Sequence, residues 1–449
     1  MSREPGEVDV AVIGAGAAGL AAAVALAEAG RSVCVLEARD RIGGRILTHA
    51  DPSLAAPVEL GPEFIHGRAP ATLALLKRSG GIAIDTAGTR LSVRDGDTAP
   101  RHDLFADVRR LMQLAPTQAD EDSSVEDFLA RWAGDPSLAA ACAHARMMVQ
   151  GYDAADPRRA SIRAIANEWS DMDGGQSRPA FGYGALIAQL ARSLESAGGD
   201  LRLQTLVRRI EWSTRGATVS AVSAAGPLRV TARCALVTVP VSLLQRSLQP
   251  PDALDGTSDD HGVVRFDPPL EEKAQALRGI ALGPVIKIVL HFRHAFWETL
   301  HDGRYRDCGF LHAPQAAFPT LWTALPARIP RLTAWTGGPR AQSLAGRSRD
   351  ELIDRALDAV QCVFGVGPEV RDELAAVHTH DWQADPFARG AYSYITVGGC
   401  EAPAALARPL ADTLYFAGEA VNAGSSGTVE AALQSGQRAA RGIAKQFAK

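Results

Sequence analysis

The strand-turn-helix at the start of the chain leaves little freedom for what the rest can be. Residues 8–13 form a run rich in β-branched side chains that stops at Gly14-Ala15-Gly16-Ala17-Ala18-Gly19. An Ala/Leu-rich stretch follows to Ala29, Gly30 stands where helices stop, and a second apolar run covers residues 32–36. This order predicts a βαβ unit with the glycines at its first turn. Gly14 permits the tight turn, Gly16 lets backbone approach a pyrophosphate, and Gly19 lets helix and strand pack closely, with the helix N-terminus facing the anion. Glu37 closes the second strand eighteen residues beyond Gly19. That is near the ~20 expected for an acid that accepts hydrogen bonds from an adenosine ribose.

Composition sets the remaining bounds. The 449 residues are 46% hydrophobic and 22% charged, with a mean hydropathy of -0.04, the balance of a globular chain with a sizeable core. Lys and Arg total 47 against 51 for Asp and Glu, a formal charge of -4 without like-charge blocks, so a nucleic-acid partner is not expected. The six cysteines are scattered without a Cys-x-x-Cys pair, which predicts reduced thiols, no metal site and no disulfide framework. No apolar leader precedes the first glycine turn, no run of about 18 apolar residues occurs, and no hydrophobic tail follows the last helix, so a cytoplasmic protein without membrane attachment is expected.

Strand and helix signals alternate again at residues 185–196 (helix), 201–206 and 233–239 (strands) and 427–446 (helix). Residues 81–179 read as polar and mostly helical, and 250–260 as an exposed loop. Apolar runs at 285–292 and 311–335 predict a mixed sheet in a second module. No Gly/Ser-rich linker separates the modules, so they are expected to interleave.

Beyond Glu37, the stretch Ala38-Arg39-Asp40-Arg41-Ile42-Gly43-Gly44-Arg45 adds a glycine pair and an arginine able to fork onto a pyrophosphate. Here the sequence resembles the flavin-containing amine oxidase family, which includes monoamine oxidases, polyamine oxidases and lysine-specific histone demethylases, and among these the soluble bacterial polyamine-oxidase type. The resemblance continues through Glu59-Leu60-Gly61-Pro62-Glu63-Phe64-Ile65-His66-Gly67, Gly283-Pro284-Val285-Ile286-Lys287, the block from Trp382 to Tyr394, Tyr415-Phe416-Ala417-Gly418-Glu419 and Gly427-Thr428-Val429-Glu430. It implies an α/β fold in which a Rossmann-like FAD-binding domain (residues 1–78, 185–268 and 388–449) is interleaved with an α+β substrate-binding domain (79–184 and 269–387).

FAD, rather than NAD, is the implied cofactor, approached by Gly14, Gly16, Gly19, Glu37, Arg39, Gly44, Arg45, Gly61, Pro62, Val207, Trp382, Gly418, Glu419 and Val429. Glu419, at the C-terminal edge of a short strand, can accept a ribityl or ribose hydroxyl. Val429 leads the free N–H groups of the last helix toward the flavin pyrimidine. Monoamine oxidases attach FAD through a cysteine immediately before a cage tyrosine; that place is Ala391, so a non-covalent flavin is expected.

The implied activity is oxidation of an amine by hydride transfer to flavin N5, with imine hydrolysis and reduction of dioxygen to hydrogen peroxide. Lys287 matches the family's active-site lysine, which holds a water against N5; a strand-edge lysine reaching solvent is the other reading. His66, Glu63, Tyr392, Tyr394 and Thr428 are assigned to the substrate pocket. His66 either contacts substrate or is structural. Glu63 either attracts a cationic amine or pairs with an arginine. Tyr392 and Tyr394 share a strand face, so one walls the flavin or both fill core. Thr428 stands where a monoamine oxidase cage has its second aromatic ring, and Trp382 reads as a flavin neighbour or plain core. An L-amino acid oxidase, which needs a carboxylate-binding arginine, and a non-catalytic flavin-fold binding protein are the alternatives. Which amine is oxidised, and whether two copies pair as a homodimer, stay open.

Overall fold

The computed structural model describes residues 7–448 except 53, 55, 95–96, 101–103, 119–120, 171–174, 251–261, 423 and 425. Most of the loop expected at 250–260 lies outside the described residues.

The opening run becomes the strand Glu7–Ile13, buried on both faces from Asp9 onward, as an inner parallel strand must be. It lies between Val33–Leu36 and the C-terminal half of Gly226–Val237, parallel to both. Asp200–Arg202 extends the sheet beyond Val33–Leu36, and Leu414–Phe416 pairs in parallel with residues 235–237. The antiparallel strands Gly216–Ser223 and Leu206–Ser213, then the parallel Arg265–Asp267, complete eight strands.

The helix Ala17–Glu28 is apolar almost all round and correspondingly buried. It packs against Gly182–Ser196 and the last helix, Val429–Gln446. A Cβ on Gly436 would lie 2.2 Å from the Ala18 carbonyl oxygen, so this helix crossing tolerates only glycine. Gly436→Ala is expected to destabilise the protein by about 1–3 kcal/mol through overpacking, read as a lower Tm; an unchanged Tm would show that the helices part without cost.

The second sheet has seven strands in the spatial order Leu374–Thr379, Val285–Phe292, Arg331–Gly337, Thr320–Thr323, Cys308–His312, Thr89–Arg94 and Asp97–Pro100. All its pairs are antiparallel except Cys308–His312 with Thr89–Arg94. A helical layer, including Val125–Trp132, Ala139–Gly151 and Ile162–Ser170, has its own core around Phe128, Leu129 and Trp169.

Three local expectations need correction. The strand read at 201–206 is two strands, because Gln204 turns left-handed (φ 48°) and the backbone N–H groups of Gln204 and Thr205 bond to Arg39 and Glu37. The strand read at 233–239 begins earlier, at Gly226, and ends at Val237. The stretch 81–179 contains four short strands besides its helices. Thr89–Arg94 and Asp97–Pro100 pair with each other as a hairpin, whereas Gln176–Pro179 pairs with both Ile65–His66 and Ala83–Asp85, distant in sequence, so no local period announces those two short strands. Among the described residues no helix is long and apolar enough to cross a membrane, and all six cysteines are free.

Candidate active site

Ile13, Leu36, Val237 and Phe416 end four neighbouring parallel strands in register. The residues that follow them, Gly14, Glu37, Thr238 and nearby Gly418, line one end of a cavity of about 850 Å³. This is the carboxyl edge where α/β sheets bind ligands. Lys287, His66, Tyr392 and Tyr394 line the same cavity.

At the nucleotide end the backbone is cut away. Gly14 has φ 105° and its N–H bonds Leu36, so the turn is tied to the second strand. A Cβ on Gly16 would meet nothing nearer than 4.0 Å, and one on Gly418 (φ 151°) or Gly424 (φ 86°) would meet no protein atom within 4 Å. Side chains there would fill cavity, which is the form of a cradle for a ligand. The helix Ala17–Glu28 has no side-chain cap and no acid in its first turn, leaving N–H groups for an anion. Gly19 lies outside the cavity lining; its Cβ would lie 2.0 Å from the Gly14 carbonyl oxygen, so it serves the close helix-to-strand approach. These features fit a dinucleotide such as FAD.

Glu37 is buried and accepts from the Ala15 and Arg39 N–H groups. Arg39 lines the cavity, and both its terminal nitrogens are engaged by Asp385, at 2.9 and 2.8 Å. Arg45 donates through one nitrogen to Glu419 and to the Ala391 carbonyl, both at 2.8 Å. Both Glu419 oxygens are engaged: one by Arg45, the other by Ser393 and the Gly427 N–H. As the structure stands, Glu419 ties Arg45 and the Gly427 turn together instead of presenting a free acceptor. Gly44, Gly61, Pro62, Val207 and Val429 line the cavity. Trp382 does too, with its indole N–H on the Leu60 carbonyl at 2.8 Å. The Thr428 hydroxyl caps the last helix by accepting from the Ala431 N–H, so fewer of that helix's N–H groups are free than its sequence suggests.

Lys287 sits on Val285–Phe292, which has a strand on either side, so the edge-lysine reading falls. Its side chain is 2% exposed, and its ammonium lies 2.8 Å from Glu63. Glu63 meets the arginine expected as one alternative: Arg178 Nε at 2.9 Å, with the Trp322 indole N–H at 3.1 Å. Burial pushes the Glu63 carboxyl up, but Lys287, Arg178 and Arg331 outweigh it and hold it at about 2. Burial pushes His66 down to about 4, so its ring is neutral near pH 7 and does not repel a cation. His66 stands edge-on to Tyr152 at 5.2 Å. The Tyr392 hydroxyl donates to the Tyr152 carbonyl at 2.7 Å. Tyr394 is buried against the helical layer. Phe64, Phe310, Trp322 and Trp335 continue the aromatic lining toward Lys287.

Sequence reasoning passed over two acids. Asp153 and Glu168 line the cavity beside Tyr392. One Asp153 oxygen is 3.5 Å from the Trp169 indole nitrogen, and the other is buried with no partner. Burial, reinforced by Glu168, lifts the Asp153 carboxyl well above the usual range. Burial, against a hydrogen bond from Ser426 and with Glu419 adding repulsion, lifts Glu168 to about 7. Glu168 lies three residues after Ile165 and immediately before Trp169, beside the buried stripe of its helix, which was its only local signal. Asp153 lies past the end of a helix and had none.

The family model of flavin-containing amine oxidoreductases matches residues 17–444. The chain is 27% identical over 471 residues to polyamine oxidase 4 of Oryza sativa subsp. japonica, covering 96% of this chain and 87% of that protein. It is 27% identical over 482 residues to lysine-specific histone demethylase 1B of Mus musculus, covering 97% of this chain and 52% of the relative. Among solved structures, putrescine oxidase bound to putrescine superposes with a TM-score of 0.80 at 23% identity, over 99% of both chains. Cyclohexylamine oxidase from Brevibacterium oxydans IH-35A does so at 0.79 and 24%, over 98% of this chain and 100% of that one.

Proposed function

Because this chain belongs to the flavin-containing amine oxidoreductase family, we propose that it oxidises an amine carrying a second cationic nitrogen to an imine that hydrolyses in water, with dioxygen reduced to hydrogen peroxide. The observation that carries the substrate class is the Asp153–Glu168 pair in the cavity wall, one of its oxygens buried without a protein partner. FAD, bound without a covalent link since Ala391 has no thiol, supplies a two-electron acceptor for a hydride from the substrate's α-carbon.

Gly14, Gly16, Glu37, Arg45, Gly61, Val207, Gly418 and Val429 would hold that cofactor. The other side chains act on the amine. Tyr152, Tyr392 and the neutral His66 exclude water, which favours the uncharged nitrogen whose lone pair is needed as the α-carbon is oxidised. Asp153 and Glu168 take the distant ammonium, orienting the reacting nitrogen by the length of the chain between them. Lys287 presents its ammonium from the lining of the same cavity.

Below its raised pKa each acid is neutral and attracts a cation weakly; above it the charge appears. The ratio of kcat/KM for a diamine to that for a monoamine of equal length is therefore expected to rise as pH passes through about 7. Glu168→Gln is expected to raise KM for the diamine about 10- to 100-fold, the worth of a charged hydrogen bond, and to flatten that rise. An unaltered ratio in the variant would overturn this substrate class. Loss of flavin absorbance on anaerobic addition of amines tests the activity itself, and a yellow protein that no amine bleaches would be the non-catalytic flavin-fold binder.

The L-amino acid oxidase reading has its own candidate, because Arg90 lines the cavity, with its guanidinium 5.2 Å above the Phe310 ring. Peroxide release from amino acids, compared with that from amines, decides between the two.

A further inference from the structure

Glu63 holds more than its place in the cavity wall requires. One oxygen accepts from Arg178 Nε and Trp322 Nε1, and the other is paired with Lys287. Arg178 is in turn held on several sides. Its strand register is set by pairing with Ala83–Asp85, its two terminal nitrogens donate to the Leu325 and Thr323 carbonyls, and its guanidinium lies 4.6 Å over the Phe64 ring. A second chamber of about 80 Å³ adjoins the pair, lined by Glu59, Glu63, Arg178 and Arg331. Three cations thus surround the one carboxylate held fully ionised. Apart from Glu63, the hydrogen-bond acceptor of the Lys287 ammonium is the Gly61 carbonyl at 3.3 Å, a long and weak contact. A lysine on a four-carbon stem has no fixed position unless a partner supplies one.

We propose that Glu63, itself fixed by Arg178 and Trp322, is a positioning residue that sets where the Lys287 ammonium stands in the cavity wall. Glu63 acts through Lys287 and does not bind the substrate ammonium, because both its oxygens are engaged by protein donors. The proposal rests on the reading of Lys287 as the active-site lysine, and its test separates the two.

The chain has only five lysines. Lys273 is as buried as Lys287 but is held elsewhere, by the Ala405 and Arg408 carbonyls. The holoprotein is acylated with acetic anhydride, and modification of each lysine is followed by mass spectrometry. Glu63→Gln is expected to raise labelling of Lys287 relative to Lys273 by about 10-fold, and to lower kcat for the amine by about 10-fold. In a Lys287→Met background the same substitution is expected to change kcat less than about 2-fold, since the residue it acts through is gone. Glu63→Asp keeps the charge but withdraws it by one methylene, so a smaller effect in the same direction is expected; it carries the test if Glu63→Gln does not fold. Equal labelling of Lys287 and Lys273 in both Glu63 variants would overturn the clamp, as would an undiminished Glu63→Gln effect on kcat in the Lys287→Met background. Normal turnover by Lys287→Met alone would instead remove the lysine from the reaction, while the labelling still decides whether Glu63 positions it.

Discussion

Replacing Lys287 with methionine is expected to slow amine turnover by about 10²-fold or more while FAD stays bound. The ammonium is a single preorganised cation at 2% side-chain exposure, and loss of one such group from a water-poor site costs about 10²–10³ in rate. Methionine keeps an unbranched side chain of similar length in place of the lysine, whose ammonium lies 5.7 Å over the Trp322 ring. Glu63 retains Arg178 and Trp322, so the fold is expected to survive. Stopped-flow traces of anaerobic reduction by the amine, and of reoxidation by oxygen, separate the two halves of the cycle. Unchanged rates in both would take Lys287 out of the mechanism.

Gly19→Ala is expected to yield a colourless protein. The new Cβ would lie 2.0 Å from the Gly14 carbonyl oxygen and 2.9 Å from the Thr238 hydroxyl. Neither neighbour can yield cheaply. The Gly14 N–H is bonded to Leu36, and the Thr238 hydroxyl donates to the Ile13 carbonyl at 2.8 Å. The helix must therefore move off the turn, which withdraws its N-terminus from the anion and overpacks the strand-helix layer at a cost of about 1–3 kcal/mol. The ratio of flavin to protein absorbance after purification, with an FAD titration of the apoprotein, reads the effect. Full flavin content at the parental Tm would show that the third glycine is dispensable.

Much of the fold was legible because its signals are local. The β-branched strand, the glycine turn and the apolar helix each lie within a dozen residues, and a run such as Val285–Phe292 announces an inner strand by burial on both faces. The short strands at Ala83–Asp85 and Gln176–Pro179 were missed because long-range pairing, not local period, makes them. At the site, Lys287, His66, Tyr392 and the glycines were named from motif and resemblance, and all line one cavity except Gly19. The engagements of Glu419 by Arg45 and of Arg39 by Asp385 were not visible, because each joins residues more than 300 positions apart.

The amino-acid order alone determined the dinucleotide end, since spacing, glycine stereochemistry and strand-helix alternation act over a few residues and admit one local solution. Tertiary structure decided the chemistry at the other end of the cavity. Only folding sets Glu63 against Lys287 and Arg178, and Asp153 beside Glu168. Electrostatic character depends on which charges are brought within a few ångströms and how far water is excluded, and neither is written in any local stretch of chain.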